Sequence, residues 1–224
     1  MLNQDGGREE GGRVKNMITP DPNKVLFICT GNYYRSRLAD ILFNYYSKMR
    51  ESPFVAESRG LIEQVDRQGV AREVVDYLKQ RNIPLAEHVN RDPIPLRAED
   101  TEKAALVIGM CRDEHRPLLR ERYPGILKLL EQEQRISFWN IDDVPERVGF
   151  WEKIFCRNLP SQRAASGTEH IDFAVRVLIT KLVTQKDASV GLEQKNKNAE
   201  VATPSESEKN ENKPLKQPQP RENN

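Results

Sequence analysis

Val25-Leu26-Phe27-Ile28-Cys29-Thr30-Gly31-Asn32-Tyr33-Tyr34-Arg35-Ser36 joins a run of four apolar residues to a short polar loop. The run ends in a cysteine, and an arginine and a serine close the loop. Beyond it, Leu38, Ile41, Leu42, Tyr45 and Tyr46 recur at the i, i+3, i+4, i+7, i+8 spacing of an amphipathic helix. The pattern predicts a buried strand, a tight loop and a helix, with Cys29 where the strand ends and Arg35 where the helix begins.

That order has a chemical consequence. The first amides of a helix lack intrahelical partners and carry the positive end of its dipole. A loop of backbone N–H groups curling into that end is an anion cradle suited to phosphate. Cysteine reacts as its thiolate, and a helix N-terminus beside an arginine lowers its pKa below the free value of ~8.5. Arginine adds a planar, permanently charged fork for two oxygens of a tetrahedral oxyanion. The bland alternative makes Cys29 a small buried residue at a strand end and Arg35 a surface charge. The agreement of strand, Gly-Asn loop, Arg-Ser pair and helix favours a thiolate under a bound phosphate.

Working outward, Pro53-Phe54-Val55-Ala56-Glu57-Ser58 reads as a second strand that ends at Arg59-Gly60. Val70, Ala71, Val74, Val75 and Leu78 mark a helix stopped by Asn82 and Pro84. Residues 85–100 read as loop, with Pro93 and Pro95 against a regular helix. Residues 104–110 form an apolar third strand. Asp113 is a candidate cap for a helix that runs to about Tyr123, before Pro124-Gly125. Residues 136–139 are a short fourth strand. Ser166 and Glu169 have capping-box spacing, and Ile171, Ala174, Val175, Leu178, Ile179 and Leu182 line a final helix. Strands alternating with helices imply right-handed crossovers and a four-stranded parallel sheet in a three-layer α/β/α sandwich, with the phosphate loop after the first strand. Ligands of such sheets bind at the carboxyl ends of the strands.

The 224 residues carry a net charge of +1, which suits one domain with tails and gives no argument for nucleic acid or an anionic membrane as partner. Residues 1–22 are polar and charged and read as a flexible leader, residues 23–184 as the domain, and residues 185–224, without an aromatic residue, as a disordered tail. No apolar run approaches the ~18 residues of a membrane span. Cys29, Cys111 and Cys156 are odd in number, and a cytoplasmic setting is expected for a working thiol. No His/Cys cluster has metal-ligand spacing, so neither metal nor cofactor is expected. His115 and His170 read as helix-surface or capping residues.

The chain resembles the low-molecular-weight protein-tyrosine phosphatase family, which also contains thioredoxin-coupled arsenate reductases. Residues 29–36 and Trp139-Asn140-Ile141-Asp142-Asp143 carry the resemblance, which spans roughly Lys24 to Val183. It implies hydrolysis of phosphate monoesters, of a phosphorylated protein or a small phosphoester, through a phosphocysteine on Cys29. Arg35 and the amides of Thr30, Gly31, Asn32, Tyr33, Tyr34 and Arg35 would bind the phosphoryl oxygens. Ser36 would steady the thiolate or cap the helix. By the family's tryptophan-to-aspartate spacing, Asp143 takes the place of the general acid, with Asp142 its neighbour. His88 matches a histidine that braces Asn32.

The departures from the family pattern bear on the substrate. Arg37 stands where a proline is usual, and Tyr34 where many members carry a protective second cysteine. Val144-Pro145-Glu146-Arg147 replaces the tyrosines that wall the phosphotyrosine ring; Tyr33 is a candidate for part of that wall. Cys111 occupies the second position of an arsenate-reductase relay, but Leu118 stands where its third thiol belongs. Phosphotyrosine hydrolysis is the expected activity; arsenate reduction, or phosphate binding without efficient turnover, is the alternative.

Overall fold

The computed structural model describes residues 19–63, 68–85, 87–141 and 159–201, and only the backbone of 87–88, 159–166 and 190–201. The first strand, β1 (Asp21–Cys29), alternates as a strand must. Val25, Phe27 and Cys29 enter one core cluster, and Leu26 and Ile28 enter another. Both faces are apolar because both are covered. β2 (Val55–Gly60), β3 (Ala104–Gly109) and β4 (Ile136–Phe138) complete a sheet of order β2-β1-β3-β4 in which every pairing is parallel.

Helices lie on both faces, as the alternating pattern implies. On one side, α1 (Arg35–Met49) and α2 (Arg72–Gln80) bury Leu38, Leu42, Phe43, Val74 and Leu78 with Ile171, Val175 and Ile179 of α6 (Leu159–Val201). On the other, α4 (Arg112–Arg122) and α5 (Pro124–Gln132) bury Leu119, Leu127 and Leu130. A six-residue helix, α3 (Ala98–Lys103), leads into β3.

Several boundaries differ from the sequence expectation. As the sequence predicts, α4 stops before Pro124-Gly125, but a further helix that was not expected starts there. Pro124 takes the first turn of α5, where its missing N–H costs nothing and its fixed φ favours helix. The stretch 85–100 contains a 3₁₀ turn at Glu87–Asn90, and α3 starts at Ala98, just past the two prolines. The last helix begins at Leu159, so Ser166 and Glu169 lie inside it and do not cap it. From Thr184 the chain forms a second contact unit whose described residues, 184–201, are helical where composition suggests a tail. Among the described residues no helix is long and apolar enough to cross a membrane.

β2 is an edge strand, and its outward backbone is occupied. Asn44 of α1 accepts from the Ala56 N–H (2.9 Å) and donates to the Ala56 carbonyl (3.0 Å). Gly60 exchanges bonds with Ile94 and Leu96 (2.8 and 2.7 Å). An edge satisfied in this way offers little template for another chain.

One polar knot ties the helices of the first face. Buried Asp172 of α6 accepts from the hydroxyls of Tyr46 and Tyr77, each at 2.7 Å, and from Arg176 Nε and Nη2 at 2.9 and 2.6 Å. Burial would raise its pKa, but the bonds from Arg176, Tyr77 and Tyr46 outweigh burial and lower it. The two tyrosines move the other way, first through burial and then through Asp172.

Candidate active site

Because β1 directs odd-numbered residues toward α1, the thiol of Cys29 lies beneath the start of that helix. Its Sγ is 3.0 Å from Ser36 Oγ, and the residue is 3% exposed. Ser36 Oγ also accepts from Asn32 Nδ2 at 3.0 Å, so one serine joins the thiol to the loop asparagine. Asn32 has φ +51°, the left-handed backbone that asparagine tolerates better than most residues. Residues 30–34 thus turn back from the end of β1 to the N-terminus of α1. Leu61 and Ile62 donate to the carbonyls of Cys29 and Thr30 (2.9 and 3.0 Å), which holds the loop against the end of β2. Gly60 makes that approach possible: a Cβ there would lie 3.0 Å from the Gly31 carbonyl carbon and 3.1 Å from the Asn32 nitrogen.

Arg35 is buried at the first position of α1. Its Nη1 and Nη2 pair with Glu114 Oε2 and Oε1 at 2.7 and 2.9 Å, and Nη1 also donates to the Ile141 carbonyl at 3.2 Å. Glu114 lies in the first turn of α4, at the carboxyl end of β3. It accepts from the Thr30 hydroxyl as well, and His115 Nε2 is 3.5 Å away. His115 is fully buried, and its Nδ1 accepts from the Cys111 N–H at 2.9 Å, so the proton sits on Nε2, facing Glu114 and Thr30. His115 therefore caps α4, one of the two roles the sequence allows it, from the interior and not from the surface. Burial pushes the Glu114 pKa up, but the bonds from His115, Arg35 and Thr30 more than reverse this and hold it far below the usual carboxylate range.

A second cluster steadies the loop from below. Asn32 Oδ1 accepts from the Ile94 N–H at 3.0 Å and from Arg91 Nη1 at 3.5 Å. Arg91 Nη2 donates to Ser58 Oγ (3.1 Å) and Asp40 Oδ2 (3.2 Å), and Ser58 donates to the same Asp40 oxygen at 2.7 Å. Fully buried Arg37 lies nearby; burial, and then the charge of Arg91, push its pKa down to about 10, so it remains protonated at neutral pH.

The family model for low molecular weight phosphotyrosine protein phosphatases matches residues 24–145, more than half of the chain. The chain belongs to this family. Solved structures of low molecular weight phosphatases share its fold. One from Vibrio cholerae O395 is 14% identical at a TM-score of 0.57 and covers 72% of this chain and 97% of its own. One from T. tengcongensis is 25% identical at a TM-score of 0.53 and covers 70% and 98%. The YwlE arginine phosphatase from Geobacillus stearothermophilus is 19% identical at a TM-score of 0.53 and covers 74% and 96%. No curated protein matches the chain.

A low molecular weight phosphatase is thus the frame for the site residues expected from sequence. Cys29, Thr30, Gly31, Asn32, Tyr33, Tyr34, Arg35 and Ser36 form one loop, with Cys29, Asn32 and Ser36 linked through side chains. Tyr33 is half-buried, and its carbonyl accepts from the Ala71 N–H at 3.0 Å. Tyr34 is buried, and its hydroxyl would lie 3.1 Å from a Cβ added at Gly167 of α6. Asp142, Asp143 and Cys156 lie outside the described residues, although Ile141, directly before the two aspartates, is tied to the Met110 carbonyl at the end of β3 (2.9 Å). The backbone of His88 is part of the 3₁₀ turn, and its side chain lies outside the description. Cys111 is buried at the start of α4, and His170 is exposed on α6.

Three residues of the site escape a reading of the sequence. Glu114 resembles any acidic residue of a helix first turn, complementing the dipole. The available signal is its place directly after a parallel strand, where ligands of such sheets bind. His115 sits among charged neighbours that suggest solvent. Arg91, in Arg91-Asp92-Pro93, carries no local sign that it reaches Asn32 across the fold.

Proposed function

We propose that the chain is a cysteine-dependent phosphatase that hydrolyses phosphate monoesters, protein phosphotyrosine being the expected substrate. The observation that carries the reading is the Cys29 sulfur, 3.0 Å from a serine hydroxyl whose oxygen is already engaged by Asn32, at the foot of a loop whose arginine is buried. The Cys29 thiolate attacks phosphorus; the S–P bond forms as the bond to the leaving oxygen breaks. Arg35 and the amides of residues 30–35 hold the equatorial oxygens as charge builds on them. Asp143 gives its proton to the leaving oxygen, then takes one from the water that attacks the phosphocysteine. The S–P bond breaks, inorganic phosphate leaves and the thiolate is restored. Ser36 stabilises the thiolate in both steps, and Asn32 keeps the loop in register. No metal enters the scheme, and the thiol requires a reducing compartment such as the cytoplasm.

The test is steady-state hydrolysis of p-nitrophenyl phosphate with EDTA present. The wild type turns over, Cys29→Ser does not, and Asp143→Ala is slower by roughly 10²–10⁴-fold. Turnover by Cys29→Ser overturns the nucleophile assignment. Full activity in Asp143→Ala moves the acid to Asp142 or elsewhere. A comparison of phosphotyrosine, phosphoserine and phosphoarginine peptides then decides the substrate, since a solved structure with the same fold is an arginine phosphatase.

A further inference from the structure

We propose that a cavity beside the cradle is a specificity subsite for an acidic residue of the protein substrate, with Arg97 and Arg122 as the cations that receive it. The proposal rests on the phosphatase reading above and deepens it. The cavity measures about 500 Å³ and lies between the end of β2, the segment Pro95-Leu96 and the end of α4. Its floor is apolar: Leu61 and Leu96 are buried in the second core cluster, and Tyr123 packs against that cluster. Its walls are fixed. Pro95 bridges to Gly60, the Leu96 N–H donates to the Gly60 carbonyl at 2.7 Å, and the Tyr123 hydroxyl donates to the Leu96 carbonyl at 2.9 Å.

Two features say what the cavity receives. The first is charge. Among the described residues, Arg97 and Arg122 line it against a single carboxylate, that of Glu63, so the lining is net positive. Neither arginine makes an ion pair among the described residues. Asp100, three residues from Arg97, is held instead by Arg59 Nη2 and by the Arg97 backbone N–H, each at 2.9 Å. A carboxylate is the group that a guanidinium fork matches, and concave apolar walls strengthen the pull. The second feature is continuity with the cradle. Leu61 and Ile62, which line the cavity, are the residues whose N–H groups hold the carbonyls of Cys29 and Thr30. A protein anchored at the cradle by its phosphoryl group therefore has its flanking residues beside this cavity. An exposed ion pair is worth little between free partners, but tethering makes the contact intramolecular, and a modest site then suffices. An acidic residue away from phosphorus is bound alike in the ground state and the transition state, so the subsite acts on KM.

The experiment compares kcat/KM for phosphotyrosine peptides whose flanking residues are Glu in one, Gln in a second and Lys in a third. The full chain is assayed as wild type, as the double variant Arg97→Gln with Arg122→Gln, and as the double variant Arg97→Glu with Arg122→Glu. Both positions are exposed, so the fold tolerates these changes. The wild type prefers the Glu peptide to the Gln peptide about tenfold, the difference lies in KM, and high salt erases it. The Gln variant loses the preference, and the Glu variant turns it toward the Lys peptide. Equal kcat/KM for the Glu and Gln peptides in the wild type overturns the proposal, and so does a preference that the Gln variant retains. A wild type that hydrolyses p-nitrophenyl phosphate but none of the peptides overturns it together with phosphotyrosine as the substrate. If p-nitrophenyl phosphate also stays intact, the phosphatase reading fails by itself, and calorimetric binding of the same peptides decides the subsite. Tighter binding of the Glu peptide by the wild type than by the Gln variant supports it, and equal binding overturns it.

Discussion

Glu114 at the strand ends and Asp172 on α6 are gripped in nearly the same way. Each accepts from two nitrogens of one arginine and from a hydroxyl or two, and each has its pKa drawn down because its bonds, with that from His115 foremost at Glu114, outweigh burial. They differ in which partner is hidden. At the cradle the cation is buried, with Arg35 1% and Glu114 35% exposed. At the knot the anion is buried, with Asp172 4% and Arg176 48% exposed. A carboxylate buried among two tyrosines, with its arginine partly in water, joins three helices and offers nothing to an anion. A buried arginine with its carboxylate at the rim places a cation at the end of the loop that begins at Cys29. The same bonds tie helices together in one place and, on the function proposed above, prepare an anion site in the other.

The sharpest way to break this comparison is to exchange the arginines. Arg35→Lys removes the fork and lowers kcat/KM on p-nitrophenyl phosphate roughly 10²–10³-fold, the usual worth of one preorganised transition-state donor. Arg176→Lys leaves kcat/KM unchanged and lowers Tm. Equal effects of the two substitutions on activity would erase the distinction. Asp172→Asn comes next: it lowers unfolding free energy in urea by roughly 1.5–3 kcal/mol, the worth of hydrogen bonds to a charged group, with kcat/KM intact below the transition. The smallest effect is in acid. Both carboxylates have folded pKa values below their unfolded ones, so their stabilisation is complete above the unfolded values near ~4 and is lost as pH falls below them toward the folded values. Thermal melts between pH 6 and pH 2 show a decline below about pH 4. The decline is shallower in Asp172→Asn, which has one such carboxylate fewer.

The parts of this protein that sequence reveals are those whose physics is local. Residues 25–36 carry a strand, a loop and a helix start within twelve residues, and each is written in period or residue type. The parallel sense of the sheet followed from alternation, and every pairing within it is parallel. Pro124 marked the end of α4 but hid the start of α5, because a proline that ends one helix is also well suited to begin the next. The cradle's cysteine, arginine, asparagine and serine were legible because they are neighbours in the chain. Glu114, 79 residues from Arg35, and Arg91, 59 residues from Asn32, were not, because only the packed sheet brings them together. Arg37, fully buried where the family pattern has a proline, could be noticed in the sequence, but its burial could not.

The central claim is that Cys29 carries the phosphoryl group, and the direct measurement is to trap it. Wild-type enzyme mixed with excess p-nitrophenyl phosphate is quenched in acid within the first turnovers, digested and mapped by mass spectrometry. The account predicts one phosphoryl adduct, on the peptide that contains Cys29, absent from Cys29→Ser and more abundant when water attack is slowed in Asp143→Ala. Turnover with no adduct on Cys29, or with the adduct on Cys111 or Cys156, would contradict it.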